Sequence, residues 1–219
     1  DRVLARRGDQ QPVVAAQRAG FPVMVDFGGH VPALSLEELL LHRLRPGDLF
    51  THAFASVRGR TALVDAAGLL HPYAKAAQAR GLRFDLGYGG KSFSFSQAAP
   101  AMRQGFLPDT LSTDMHRTSL HGSMHDLPTV LSKLGALGMS LPEQIRRSTA
   151  APAQAIGRPA LGRLIEGGEA DLAVFSVETG AFTFTDTEGA TIPGKERLTC
   201  ELTLRAGEVV WDPKKRLAP

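Results

Sequence analysis

The feature that most constrains this chain is a recurrence. Short apolar runs, each ending in a polar residue, alternate with segments of helical character. Pro22-Val23-Met24-Val25 leads to Asp26, Leu49-Phe50-Thr51 to His52, Leu82-Arg83-Phe84 to Asp85, and Thr110-Leu111-Ser112-Thr113 to Asp114. The four polar ends fall at intervals of roughly thirty residues, the length of one strand–helix unit. Runs this short and apolar suit strands buried on both faces of a parallel sheet. Helices are expected over 12–18, 35–44, 72–79, 96–103, 127–137 and 141–147, several of them stopped by a glycine such as Gly20, Gly81 or Gly105. Ser35 with Glu38, and Ser140 with Glu143, have capping-box spacing. The rhythm implies parallel βα units, arranged either as part of a (β/α) barrel or as a doubly wound open sheet.

From about Leu164 the character changes. Residues 171–177, 181–185, 198–204 and 209–211 read as short strands joined by turns. The expected organisation is an α/β domain over 1–164 followed by a small β subdomain over 165–219. With 43% hydrophobic and 21% charged residues the chain can bury a core and is not disordered. The surplus of 25 basic over 22 acidic residues is too small for a nucleic-acid footprint. No apolar stretch approaches the roughly 18 residues of a membrane helix, so neither partner class is expected. The single Cys200 excludes an internal disulfide and suits a reducing, cytoplasmic setting. The chain opens on Asp1 rather than Met, as expected of a sequence whose natural start lies upstream.

Asp26, His52 and Asp114 each have a plain alternative, since a strand-end Asp often caps the next helix and a lone His is often a core residue. Together they sit at equivalent ends of successive units, where a barrel gathers its chemistry. His and Asp suit a hard or borderline divalent ion such as zinc, which would bring a bound water to neutral-pH reactivity. A neighbouring carboxylate could then move the proton. Gly87-Tyr88-Gly89-Gly90-Lys91-Ser92 looks like a phosphate loop, but Asp85 stands where the P-loop needs its first glycine. Of His116, His121 and His125, His116 is the one expected to line the site, because it follows Asp114 closely.

The strand-end motifs resemble the metal-dependent amidohydrolase superfamily, and within it the dihydroorotase-like amidohydrolase/deacetylase group. The carrying residues are Pro46-Gly47-Asp48-Leu49-Phe50-Thr51-His52, Phe84-Asp85-Leu86-Gly87 with Gly89, Ser92-Phe93-Ser94-Phe95, and Ser112-Thr113-Asp114-Met115-His116. Asp126-Leu127-Pro128-Thr129 with Ser132-Lys133, Leu137-Gly138-Met139, Ile156-Gly157 and Gly168 with Ala170-Asp171 continue the likeness.

The resemblance implies the C-terminal half of a (β/α)8 TIM-type barrel followed by a small β-sandwich appendage. It implies one or two divalent metals, usually zinc, with His52 as the sixth-strand ligand. Asp114 becomes the eighth-strand ligand and the catalytic proton shuttle. Asp26 stands where the wider family has histidine, and is read as a metal ligand too. Tyr88, where the group usually has histidine, and His116 become substrate contacts. The H-x-H pair and bridging lysine of the family have no counterpart here, so the missing N-terminal half of the barrel is an expected partner and the chain alone is expected to be inactive. The implied reaction is hydrolysis of an acyl, typically acetyl, amide or ester on a small carboxylate-bearing substrate. Cyclic amide hydrolysis of the dihydroorotase or hydantoinase type is the alternative, as is a non-catalytic degenerate barrel. Assembly into a homo-oligomer is compatible with all three.

Overall fold

The computed structural model describes residues 13–26 and 35–216. A helix over 13–19 (α1) precedes β1, Met24–Val25. Helix α2, Leu36–Glu38, runs into a π-helical turn, Leu39–Arg43, and then β2, Leu49–Phe50. Next come α3, Pro72–Ala79, β3, Arg83–Phe84, and α4, Phe95–Arg103. Strands β1, β2 and β3 are neighbours in that order and all parallel, with Met24 opposite Leu49 and Leu49 opposite Arg83. The fourth expected strand is reduced to one parallel bridge, Asp85 to Thr110, continued by Tyr88 N–H to Ser112 O at 3.1 Å and Gly89 N–H to Thr113 O at 2.9 Å.

The first three expected runs are thus trimmed to two residues of regular pairing each, for reasons visible at both ends. At the entry, carboxylates substitute for ladder bonds. Asp48, 1% exposed, accepts from Val23 N–H at 2.9 Å and from Arg45. Asp109 accepts from Phe84 N–H at 2.8 Å and from Gln78. At the exit, His52 and Asp114 have left-handed backbones (φ 58° and 46°), which ends the extended conformation and turns the polar residue out of the sheet.

Ser35 caps its helix as its spacing predicts, accepting from Glu38 N–H at 3.1 Å. Ser140 makes no side-chain cap on α6, Leu141–Ser148, and the Glu143 carboxylate binds Arg146 and Arg147 rather than completing a capping box. Those two guanidinium groups hold the Glu143 carboxyl down at about 2. Leu36, Leu40 and Leu44 recur at four-residue spacing and are all buried, and Arg80 closes the π-helical end on the carbonyls of Leu40 and Leu44. The core between sheet and helices is a chain of edge-to-face rings: Phe50 on Phe84 at 5.8 Å, Phe84 on Phe106 at 4.9 Å, and Phe106 on Phe54 at 6.3 Å.

After α5, Leu127–Ala136, α6 and the short α7, Ala150–Ala155, comes an antiparallel sheet. It comprises β4, Leu172–Thr185, β5, Thr191–Arg205, and β6, Glu208–Trp211. The interruption expected between 177 and 181 is a bulge within one continuous strand. Among the described residues this is a single three-stranded sheet with no second sheet facing it, so the expected sandwich is not seen there. It leans on α5 instead: Leu198 N–H donates to the buried Ser132 Oγ at 2.9 Å. The β4–β5 turn docks on α4, where Asp186 accepts from Phe95 N–H at 2.8 Å.

One buried carboxylate joins three of the parallel segments. Asp85, 3% exposed, accepts from Thr51 Oγ1 at 2.8 Å, Thr110 Oγ1 at 2.6 Å and Ser112 Oγ at 2.8 Å. The strand-end spacing groups Asp85 with the site candidates, but both its oxygens already accept from buried hydroxyls and it faces inward. Asp85→Ala would leave three hydroxyls without an acceptor. An unfolding free energy lowered by about 3 kcal/mol in urea titration is the expected outcome, near the upper end for one buried polar loss.

Candidate functional site

The site gathers on the turns that leave the parallel strands, and a glycine arc separates its parts. Gly87 has φ 48°, and a Cβ there would stand 2.2 Å from Thr51 Oγ1 and 2.7 Å from His52 Nδ1. Gly89 has φ 56°, and a Cβ there would stand 2.7 Å from Asp114 Oδ2. The run that resembles a phosphate loop therefore serves as a spacer, letting His52 approach it from one side and Asp114 from the other.

His52 Nδ1 is 2.6 Å from Gly87 O. A carbonyl only accepts, so Nδ1 carries the hydrogen and Nε2 is the nitrogen left for a proton or a cation. Nε2 faces Asp26 Oδ1 at 3.5 Å, with the His52 side chain 12% exposed and that of Asp26 67%. A bare imidazole lone pair and a carboxylate at that distance repel unless a positive charge lies between them. Asp26 carries no other side-chain hydrogen bond among the described residues, and Asp114 carries none.

His52 and Asp26 are therefore brought together, as their sequence positions predict. Asp114 lies across the glycine arc. Among the described residues no three His, Cys, Asp or Glu side chains form a metal-holding group. His116 is exposed on the loop after Asp114, its Cε1 3.7 Å from where a Cβ on Gly90 would stand, and its Nδ1 is 2.9 Å from Thr118 Oγ1. His125 turns to Asp126 at 3.8 Å.

Tyr88 is a correction. Expected as a substrate contact, it is fully buried, its ring stacked on Phe93 at 4.5 Å. Its hydroxyl meets Ser123 Oγ at 3.1 Å and accepts from Lys133 Nζ at 2.8 Å. The reason is the backbone: left-handed Gly87 and Gly89 lie against His52 and Asp114, and the ring between them turns into the core onto Phe93.

Sequence reasoning missed Arg60. It lies eight positions after His52 with no pattern to mark it, yet it folds back on the site. Its Nη2 donates to His52 O at 2.9 Å and Thr51 O at 3.3 Å. Burial pushes its guanidinium down to about 10, against the pull of Asp26.

With the geometry in place, comparison with known proteins is direct. No family model matches the chain. A deacetylase of Enterococcus faecalis is 33% identical over 189 residues, 86% of this chain and 50% of the relative. A deacetylase of Brucella anthropi is 36% identical over 168 residues, 77% of this chain and 40% of the relative. In three dimensions an adenine deaminase matches with TM-score 0.79 at 33% identity, over 87% of this chain and 51% of that one. A dihydroorotase matches with TM-score 0.79 at 31% identity, over 90% and 52%. The chain belongs to the amidohydrolase superfamily. It spans about half the length of the curated relatives it matches. Its structural neighbours are TIM-barrel proteins matched over about half their length, which agrees with an α/β chain of parallel units. None of its described helices is long and apolar enough to cross a membrane.

Two measurements test this arrangement. Gly87→Ala should displace His52, because the methyl would occupy the space of its ring nitrogen in a left-handed backbone. The expected result is loss of the Nδ1-protonated tautomer in imidazole nitrogen NMR. Lys133, 2% exposed, is held down at about 8 by burial, against the opposing pull of Asp186 and Asp126. The unfolded chain, with an ordinary lysine near 10.4, then binds more protons between pH 8 and 10, so stability rises with pH across that window. Lys133→Met should flatten that rise, by at most about 3 kcal/mol, when unfolding is followed from pH 7 to 10.

Proposed function

We propose that the protein is a metal-dependent hydrolase that cleaves an acyl, typically acetyl, amide or ester of a small carboxylate-bearing substrate. The observation that carries the reading is His52 Nε2 facing Asp26 Oδ1 at 3.5 Å with its tautomer set from behind by Gly87 O. Two ligands on one tetrahedral ion, each at about 2.1 Å, stand about 3.4 Å apart, so the pair fits a shared cation. An outer carbonyl holding the far nitrogen is how metal-ligating histidines are usually oriented. The deacetylase names of the relatives favour an acyl C–N or C–O bond as the target.

A divalent ion such as zinc would supply Lewis acidity there and bring a coordinated water to a pKa of about 7. His52 Nε2 and Asp26 Oδ1 would hold the ion, and the resemblance adds Asp114, from across the glycine arc, as a third ligand that would have to close on it. Asp114 Oδ2 takes the proton of the attacking water as its oxygen adds to the acyl carbon. The same atom returns that proton to the leaving nitrogen or oxygen as the acyl bond breaks, giving a carboxylic acid and an amine or alcohol. His116 contacts the substrate from the rim. In the resemblance, the further donors stand on strands with no counterpart among these four units. A C-terminal half-barrel that needs an N-terminal partner half is therefore part of the reading. Residues 1–219 are expected to gain activity only when co-expressed with such a half.

The dihydroorotase likeness favours a second reading, cyclic amide hydrolysis, in which the same groups act and the leaving amine stays attached to the product. A panel of acetylated and cyclic amides, assayed with metal analysis, separates the two. Activity on neither, with no metal retained, would leave a non-catalytic barrel.

Asp114→Asn should lower turnover by about 10²–10⁴-fold while much of the metal is kept, since the amide cannot take up the proton. Asp26→Ala should lower metal content, and Asp26→His should retain it. Unchanged turnover in Asp114→Asn would rule out the shuttle, and full metal in Asp26→Ala would make Asp26 a bystander.

A further inference from the structure

We propose that Arg60 is the positioning residue that holds His52 in its working orientation. His52 has φ 58°, a left-handed backbone that a residue with a side chain keeps only where its surroundings impose it. Its ring is fixed by Gly87 O at 2.6 Å, but a ring bond alone leaves the backbone free to relax to the extended form. The backbone is fixed by Arg60. One terminal nitrogen, with its two hydrogens, spans the successive carbonyls of Thr51 at 3.3 Å and His52 at 2.9 Å. The guanidinium carbon lies over the Phe50 ring at 5.0 Å, so the same residue grips β2 and the turn that leaves it. No described carboxylate forms an ion pair with Arg60 within the limits of a salt bridge. Its hydrogen bonds to described residues go to these two carbonyls alone.

A lysine could place a charge there, but a single tetrahedral ammonium on a flexible stem matches neither the paired carbonyls nor the stacking on Phe50. Arg60 thus acts through His52: loosening the turn frees Nε2 from its approach to Asp26. This inference rests on the metal reading above only for its metal-binding arm.

The test compares the chain with Arg60→Met and Arg60→Lys by imidazole nitrogen NMR, zinc titration and thermal melting. The unaltered chain should show His52 protonated at Nδ1. Arg60→Met should show both tautomers and bind zinc about tenfold more weakly, the low end for loss of an outer partner of a metal ligand. Arg60→Lys should fall between. Guanidinium ion at a sub-denaturing concentration should restore the Nδ1 tautomer in Arg60→Met, which a general loss of packing would not allow. An unchanged His52 signal in folded Arg60→Met overturns the proposal. Should Arg60→Met fail to fold, a wild-type His52 signal in Arg60→Lys overturns it equally. If the unaltered chain takes up no zinc, the metal reading fails, and the tautomer still decides the role of Arg60.

Discussion

The Asp85 carboxylate is the point on which the parallel sheet and its site both depend. Three hydroxyls from neighbouring segments converge on it, from Thr51, Thr110 and Ser112, in an environment 3% exposed. Ser112 Oγ in turn accepts from Gly87 N–H at 3.2 Å. Thr51 adjoins His52, and Gly87 holds the His52 ring, so the buried network fixes both ends of the contact that orients the imidazole. Burial makes each bond in such a network costly to break, and here both carboxylate oxygens accept from hydroxyls. Regular pairing of two residues per strand would be a weak scaffold without it.

Fold legibility in the sequence followed from periodicity. The helices at 72–79, 127–136 and 141–148 lie within a residue or so of where glycine stops, prolines and apolar spacing put them. The parallel order of the strand runs was legible for the same reason. Their shortness was not, because it comes from left-handed exits at His52 and Asp114 and from Asp48 and Asp109 clamping the entries, and backbone dihedrals leave no trace in hydropathy. The second sheet was read as broken where a bulge near Gly180 keeps β4 continuous.

At the site, the pairing of Asp26 with His52 was legible because both end consecutive units. The resemblance places Tyr88 at the substrate because a family position says which residue stands there, whereas the left-handed turn at Gly87 and Gly89 decides where it points. Between two glycines that must face the site, a large ring has only the core available, and Lys133 with Ser123 gives its hydroxyl partners there. Arg60 was invisible for a different reason. Its role is made by donating to two main-chain carbonyls, and main-chain acceptors are the same in every sequence.

The aspartates make the general point. Asp48, Asp85, Asp26 and Asp114 all sit at strand boundaries, and residue type alone would assign them one role. What separates them is how many of their lone pairs are already used. Asp48 and Asp85 are 1% and 3% exposed and accept several hydrogen bonds each, so no oxygen remains to ligate a cation or receive a proton without breaking the fold. Among the described residues Asp26 pairs with His52 and also acts on Arg60 through its charge, and Asp114 has no side-chain hydrogen bond. A carboxylate free of structural duty can change its protonation or its partner at little cost to stability. Position along the strand does not separate them, since Asp85 ends its run as Asp26 and Asp114 do; the two carboxylates that accept no such set of hydrogen bonds are the ones that the proposed hydrolytic site uses.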